Sequence, residues 1–216
     1  MSYEKLNPQK ALIWRIVHIN NIPWILENGM HCGNSNIQCE NWISIGNAEL
    51  INKRASHPVP IPPKGYLNNY IPFYFTPFSP MLLNIKSGKG GVQKHTNEDI
   101  VILVSSLFRI QKLELKYVFT DRHAYCKYAE FYSDLKDLDK IDWKILQQRD
   151  FFRDENDPAK FERYQAEALI HQHCPVNALM GIICYNEQSE SNIKALLHKR
   201  NLEIPVYQRQ CWYFND

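Results

Sequence analysis

The hydrophobic runs along this chain are short and rich in β-branched side chains. Residues 12–20 alternate between apolar and polar positions, which predicts a strand. The apolar block 70–75, closed by Pro77 and Pro80, predicts a second strand, and the continuous run 100–106 a buried central one. Residues 117–120 and 178–185 read as further strands, and the aromatic tail 206–214 as the last. Helical signals are fewer. Asn21-Ile22-Pro23 starts a short helix, with Asn21 as its cap, Pro23 in the first turn and Gly29 as the stop. Residues 142–149 predict another helix, and 189–200 a third with Ile193, Leu196 and Leu197 at helical spacing. Residues 154–160, polar and broken by Pro158, form a loop or the approach to a helix. Between Cys32 and Tyr70 periodicity fails. Gly33, Gly46, Gly65 and the prolines Pro58, Pro60, Pro62 and Pro63 punctuate a long connection there. A long irregular segment inside a domain is more often functional than idle. Strands without regular alternation with helices predict an α+β fold rather than a doubly wound sheet.

Length and composition narrow the class. At 216 residues, 44% hydrophobic and 12% aromatic, the chain is expected to fold as one domain over residues 1–216. Disorder does not fit this composition. The apolar run 100–107 is far too short to cross a bilayer. The opening Met1-Ser2-Tyr3-Glu4-Lys5 has no apolar stretch behind a basic start, so a cytoplasmic protein with six reduced cysteines is expected. No cysteine pair has CxxC spacing. His171, His173 and Cys174 cluster without an evident fourth ligand, so no metal site is expected. The formal net charge of +2 says little about partners. Gly88-Lys89-Gly90-Gly91 lacks the phosphate-loop pattern and its following helix.

Individual residues leave alternatives open. Glu167 reads as a surface glutamate paired four residues along a helix with Arg163, or as an anion set beside a sugar. Arg54, next to Lys53, is a solvated arginine or a guanidinium for phosphate or base carbonyls. Lys127, Arg149, Arg153, Lys160 and Arg163 interleave with Tyr125, Tyr128, Phe151, Phe152 and Phe161. Cations beside rings suit a single strand, whose phosphates need neutralising and whose bases stack, but they also make an ordinary amphipathic surface.

Four blocks, taken together, resemble a known family. They are Arg15-Ile16-Val17-His18-Ile19-Asn20-Asn21-Ile22, the stretch from Asn69-Tyr70-Ile71-Pro72-Phe73-Tyr74-Phe75 to Leu82, Val118-Phe119-Thr120-Asp121-Arg122-His123-Ala124, and Gln165-Ala166-Glu167. In this order, and with the terminal Trp212-Tyr213, they resemble DarT, the DNA ADP-ribosyltransferase toxins of bacterial DarT–DarG toxin–antitoxin pairs. The resemblance implies an ADP-ribosyltransferase-like fold, with split mixed β-sheets around an NAD cleft and flanking helices. It implies NAD as co-substrate without a metal, single-stranded DNA as acceptor, and the macrodomain antitoxin DarG as partner. A monomer suffices for such a fold. The branch most similar to this chain modifies thymine at N3, and a related branch modifies guanine. RNA or protein acceptors, or a single-strand-binding module without catalysis, are the alternatives.

The resemblance also implies roles for single residues. Glu167 falls on the catalytic glutamate and Arg54 on the essential arginine, which also contacts NAD. Arg15, Ile16 and Val17 fall on the first NAD-contacting segment, and related members can carry histidine in place of Arg15. His18, Trp24, Cys32 and Tyr74 are expected around NAD. The stretch 123–167 corresponds to the acceptor-recognition loop, so His123, Tyr125, Arg149, Arg153 and Arg163 are expected on the DNA side.

Overall fold

A computed structural model describes residues 3–214. The first half of the chain runs β1 (Leu12–His18), α1 (Ile22–Asn28), β2 (Met30–His31), α2 (Ala48–Arg54), β3 (Tyr70–Tyr74), α3 (Pro80–Ser87), β4 (Ile100–Ser106) and α4 (Leu107–Lys112). The second half runs β5 (Tyr117–Thr120), β6 (Phe131–Tyr132), α5 (Trp143–Gln148), α6 (Lys160–Arg163), β7 (Glu167–His171), β8 (His173–Cys174), β9 (Gly181–Cys184), α7 (Glu187–Lys199) and β10 (Val206–Gln208). Strands and helices are interspersed without a repeating unit, which makes the fold α+β.

Eight strands form one mixed sheet in the order β10-β9-β4-β1-β3-β7-β5-β6, and β2 and β8 make a separate ribbon. Only β10 and β9 run parallel; the other neighbours are antiparallel. The sheet is nearly two. β1 pairs with β4 at seven positions, whereas β1 and β3 meet at a single one, Trp14 opposite Tyr74. Pro72 explains the parting. Its carbonyl points toward β1, where Arg15 Nη1 donates to it at 2.7 Å. A strand residue turns its N–H and C=O to the same side, and proline has no N–H to give. The ladder therefore stops, and an arginine side chain bridges the gap.

The core follows from the apolar runs. Ile100 to Leu103 are all buried, because β4 lies between β1 and β9 and is covered on both faces. Ile13, Phe73, Phe75, Leu82, Ile110, Ile182 and Ile193 bury fully or almost so around it. Each such side chain contributes roughly 1.5–3 kcal/mol over its exposed state.

Several expectations need correction. The final strand is β10 alone; beyond it, Gln210–Trp212 coil into a 3-10 turn and Tyr213 buries its ring, donating its hydroxyl to Ile100 O and Ile183 O. The irregular stretch from Cys32 to Tyr70 contains helix α2, capped by Asn47 Oδ1 accepting from Leu50 N–H. Glu167 does not sit on a helix near Arg163; it opens strand β7. Asn21 occupies the N-cap position of α1 but makes no side-chain cap bond. Gly29 does end that helix, with φ +73°, a conformation in which a side chain would collide with His173 and the Cys174 carbonyl.

Candidate active site

Where β1 and β3 part, a cavity of about 350 Å3 opens. Its floor is Arg15, Ile16 and Val17 from β1 with Tyr74 from β3. Trp24 of α1, Cys32 after β2, and the segment Trp42 to Gly46 make the far wall. Arg54, His123 and Glu167 close the other end.

Glu167 is 2% exposed. Its backbone is set by two strands. It lies opposite Tyr74 in the β3–β7 ladder, and its N–H donates to Thr120 Oγ1 at 3.2 Å. Its carboxylate is held unevenly. Oε1 accepts from Arg54 Nη1 at 3.2 Å and from the Ala124 N–H at 3.0 Å. Oε2 lies 3.0 Å from Arg54 Nη2, yet the alignment makes no hydrogen bond, so both atoms are buried without one. Burial alone would raise the carboxyl pKa. The charge of Arg54, that of His123 when it is protonated, and the bonds from Arg54 and Ala124 outweigh it and hold the group below the usual carboxylate range. The site therefore keeps an anion at neutral pH, with Oε1 hydrogen-bonded and Oε2 buried against Arg54 Nη2 in an ion pair that lacks an aligned hydrogen bond.

Arg54 is the last residue of α2 and is 7% exposed. A cation suits a helix C-terminus, but here its reach across 113 residues to Glu167 decides its place. His123 lies with Nε2 3.7 Å from Glu167 Oε1. Its Nδ1 accepts from the Tyr125 N–H at 3.2 Å, so the neutral ring carries its proton on Nε2, facing the carboxylate. Burial first, then the nearby Arg54, lowers its pKa and favours that neutral form, although Glu167 pulls the other way. Arg15 is lowered to about 10 chiefly by desolvation and stays charged at neutral pH; its Nε is buried without a partner. Burial, and secondly Glu167, pushes the Tyr74 phenol up to about 12.

Most of the residues expected around NAD line this one cavity: Arg15, Ile16, Val17, Trp24, Cys32, Arg54 and Tyr74. His18 does not. It is buried against His95, their rings 5.2 Å apart, and its Nδ1 caps the next turn through the Asn20 N–H. The residues expected on the DNA side divide. His123 reaches the cavity, and Tyr125 packs beside it with its ring 4.9 Å from His57. Arg153 is exposed over Phe161. Arg149 and Arg163 are engaged within the fold. Arg149 lies 3.6 Å from the centre of the Phe78 ring. Arg163 makes a forked pair with Asp157 at 2.9 and 2.7 Å and a third bond to Asp142. Sequence reasoning missed the Ala124 N–H, because a backbone donor has no residue-type signal, and the wall from Trp42 to Gly46, which has no periodicity. Among the described residues no group of His, Cys, Asp or Glu could hold a metal ion, and no helix is long and apolar enough to cross a membrane.

A buried carboxylate with one oxygen lacking a hydrogen bond, a guanidinium paired to it and a largely apolar cleft suit a ligand that joins a sugar to phosphates. Comparison with known proteins agrees. Residues 14–214 match the family model described as "ssDNA thymidine ADP-ribosyltransferase, DarT". A DNA ADP-ribosyl transferase of Escherichia coli O127:H6 (strain E2348/69 / EPEC) is 60% identical over 218 residues, covering 100% of both chains. Another, from Thermus sp. (strain 2.9), is 35% identical and covers 96% of this chain and 98% of its own. The fold superimposes on Thermus sp. 2.9 DarT in complex with ADP-ribosylated ssDNA with a TM-score of 0.88 at 31% identity, covering 99% of this chain and 100% of that one. The same protein in complex with NAD+ gives a TM-score of 0.83 at 31% identity, over 96% and 100% of the two chains. The chain belongs to the DarT family and is an NAD-dependent, single-stranded-DNA ADP-ribosyltransferase.

Proposed function

We propose that this chain transfers ADP-ribose from NAD to N3 of thymine in single-stranded DNA, in a sequence-dependent way, with Glu167 and Arg54 as its catalytic residues. The observation that carries the assignment of residues is the buried Arg54–Glu167 pair at the end of the cavity, with Oε2 left without a hydrogen bond. Thymine is supported by the description of the matching family.

NAD supplies the ADP-ribosyl group, and positive charge develops on its ribose as the bond to nicotinamide breaks. Glu167 meets that charge. Its Oε2, which has no aligned hydrogen bond, accepts from the ribose hydroxyls as Arg54 Nη2 gives way, while Oε1 stays fixed by Ala124 and Arg54 Nη1. A prearranged anion stabilises the transition state more than the ground state. Arg54 has a second task, on the acceptor. Its guanidinium faces the carbonyls beside thymine N3 and lowers the cost of losing the N3 proton. It is not the base itself, since arginine stays protonated; the proton leaves through water or a neighbour. Arg15, Ile16 and Val17 hold the cofactor along β1, with Trp24, Cys32 and Tyr74 as walls, and Arg15 offers its unpartnered Nε–H toward phosphate. His123, Tyr125 and the exposed Arg153 face the strand. A single strand suits this site because its base is reached without unpairing a duplex.

We also propose a DarG antitoxin as partner, a cytoplasmic setting, and action of the 216 residues as one monomeric domain. The test is mass spectrometry of a panel of single-stranded oligonucleotides after incubation with NAD. One ADP-ribose gained on thymine, in some sequence contexts and not others, is expected. Gain on guanine alone would refute the thymine assignment while leaving the enzyme class in place.

A further inference from the structure

Asn21 breaks a local rule. It stands at the N-cap of α1, where an asparagine side chain ordinarily accepts from the first free N–H groups of the helix, and it makes no such bond. Its amide turns instead to the chain 22 residues on. Nδ2 donates to Ile43 O at 2.9 Å, and Oδ1 accepts from Ile43 N–H at 3.0 Å. The pair copies one rung of a β-ladder with a side chain. Asn21 is 2% exposed and Ile43 half-buried, so the two bonds are partly shielded from bulk water.

The segment it grips lacks regular structure. Residues 40–46 form no helix or strand, and among the described residues the two bonds to Asn21 are the only hydrogen bonds that tie them to a distant part of the chain. The segment is also held by packing: the Trp24 and Trp42 rings meet edge-on 5.9 Å apart, and Trp42 and Ile45 lie against the core. Yet Trp42, Ile43, Ser44, Ile45 and Gly46 all line the cavity. A wall of the binding cleft thus depends on one buried amide. Departures from local sequence rules gather at functional positions, and the forfeited cap fits that pattern.

We infer that Asn21 is a positioning residue for NAD: its amide clasps Ile43 and holds the 40–46 wall in its binding position before NAD arrives. The inference rests on this cavity being the NAD site. Loss of the clasp should weaken NAD binding more than it slows chemistry, because Glu167 and Arg54 are held by other elements.

Asn21→Ala is expected to raise KM for NAD about tenfold, as loss of two part-buried hydrogen bonds implies, with kcat within about threefold of wild type. Hydrogen exchange of the 40–46 amides without NAD should speed up, while the strands keep their protection. If Asn21→Ala does not fold, Asn21→Asp carries the same two readouts, since it keeps the acceptor for Ile43 N–H and loses the donor to Ile43 O. Unchanged exchange in 40–46, or an unchanged KM, would overturn the inference. Addition of NAD to the wild type should slow exchange in 40–46. Absence of that response would overturn the NAD assignment of the cavity, and the inference with it, separately from any effect of Asn21.

Discussion

Replacing Glu167 with glutamine removes one negative charge and almost no volume. The structure sets what survives. A glutamine oxygen in the place of Oε1 still accepts from Ala124 N–H and Arg54 Nη1, at the 3.0 and 3.2 Å now seen. The amide nitrogen then takes the place of Oε2, 3.0 Å from Arg54 Nη2, so two donors face each other. Breaking a buried ion pair by removing one partner costs about 3–5 kcal/mol. The retained Ala124 bond spares about 1 kcal/mol of that. Glu167→Gln should therefore be roughly 2–4 kcal/mol less stable, a fall in Tm of about 5–15 °C for a chain of this size. Glu167→Ala loses the Ala124 bond too and should fall further. The catalytic loss is separate. A missing prearranged charge or donor at a transition state costs about 3–4 kcal/mol, or roughly 10²- to 10³-fold in kcat. The assay is the initial rate of oligonucleotide ADP-ribosylation by mass spectrometry, well below the variant's Tm, with circular dichroism confirming the folded fraction. NAD affinity by calorimetry should change far less than kcat. Transfer by folded Glu167→Gln within about threefold of wild type would refute the catalytic role.

Other perturbations separate roles that look alike on paper. Arg54→Lys keeps the charge but cannot span both carboxylate oxygens as a planar fork does; transfer should drop at least about tenfold, and a fully active lysine variant would show that only charge matters. Glu167 is held below its ordinary carboxylate range in the folded state. Its stabilisation is thus complete above the unfolded value of about 4.3 and is lost as pH falls through the lower folded value. The stability gap between wild type and Glu167→Gln, from urea melts, should be flat from pH 7 to 5 and narrow only in stronger acid; narrowing already near pH 6 would contradict it. Arg149→Ala should cost stability, about 1–2 kcal/mol for a cation packed on a ring, and leave oligonucleotide affinity within about twofold. Arg153→Ala should do the reverse, and salt-dependent binding isotherms with thermal melts decide both.

The parts of the fold legible in the sequence are those dominated by side-chain burial. β1, β3, β4 and β5 fall within a residue or two of the stretches that predict them, β4 and β5 because a strand covered on both faces is apolar almost throughout and β1 because its apolar and polar positions alternate. Helix α7 also announces itself, through Ile193 and Leu197 on its buried face. Helix α2 does not. Its one buried residue is Arg54, so it has no apolar stripe to read. β7 is masked because its three apolar residues lie between Glu167 and His171, and the charge at its head looks like surface. The tail misleads in the other direction. Its aromatics belong to a turn whose rings, not its backbone, reach the core. The site is less legible still. Arg54 and Glu167 stand 113 residues apart, and only the resemblance of whole blocks to a family brings them together. The same resemblance carries Arg149 and Arg163 to the DNA side, where the fold instead employs them in its own contacts.

One row of the sheet runs Gly181, Val104, Trp14, Tyr74, Glu167 across five strands, through the single rung that joins β1 to β3. The Glu167 carboxylate, proposed as catalytic, is thus indexed by strand register, whereas the groups expected to meet DNA hang on connections. These two halves of the site face different evolutionary constraints. A one-residue insertion in β7 would turn the carboxylate to the opposite face of the sheet and end the chemistry outright. Insertions in the connections around His57, Tyr125 and Arg153 would leave the carboxylate in place and alter only what is presented to it. If those loops choose the acceptor, as proposed, substitutions in them can change that choice without displacing Glu167 from its register.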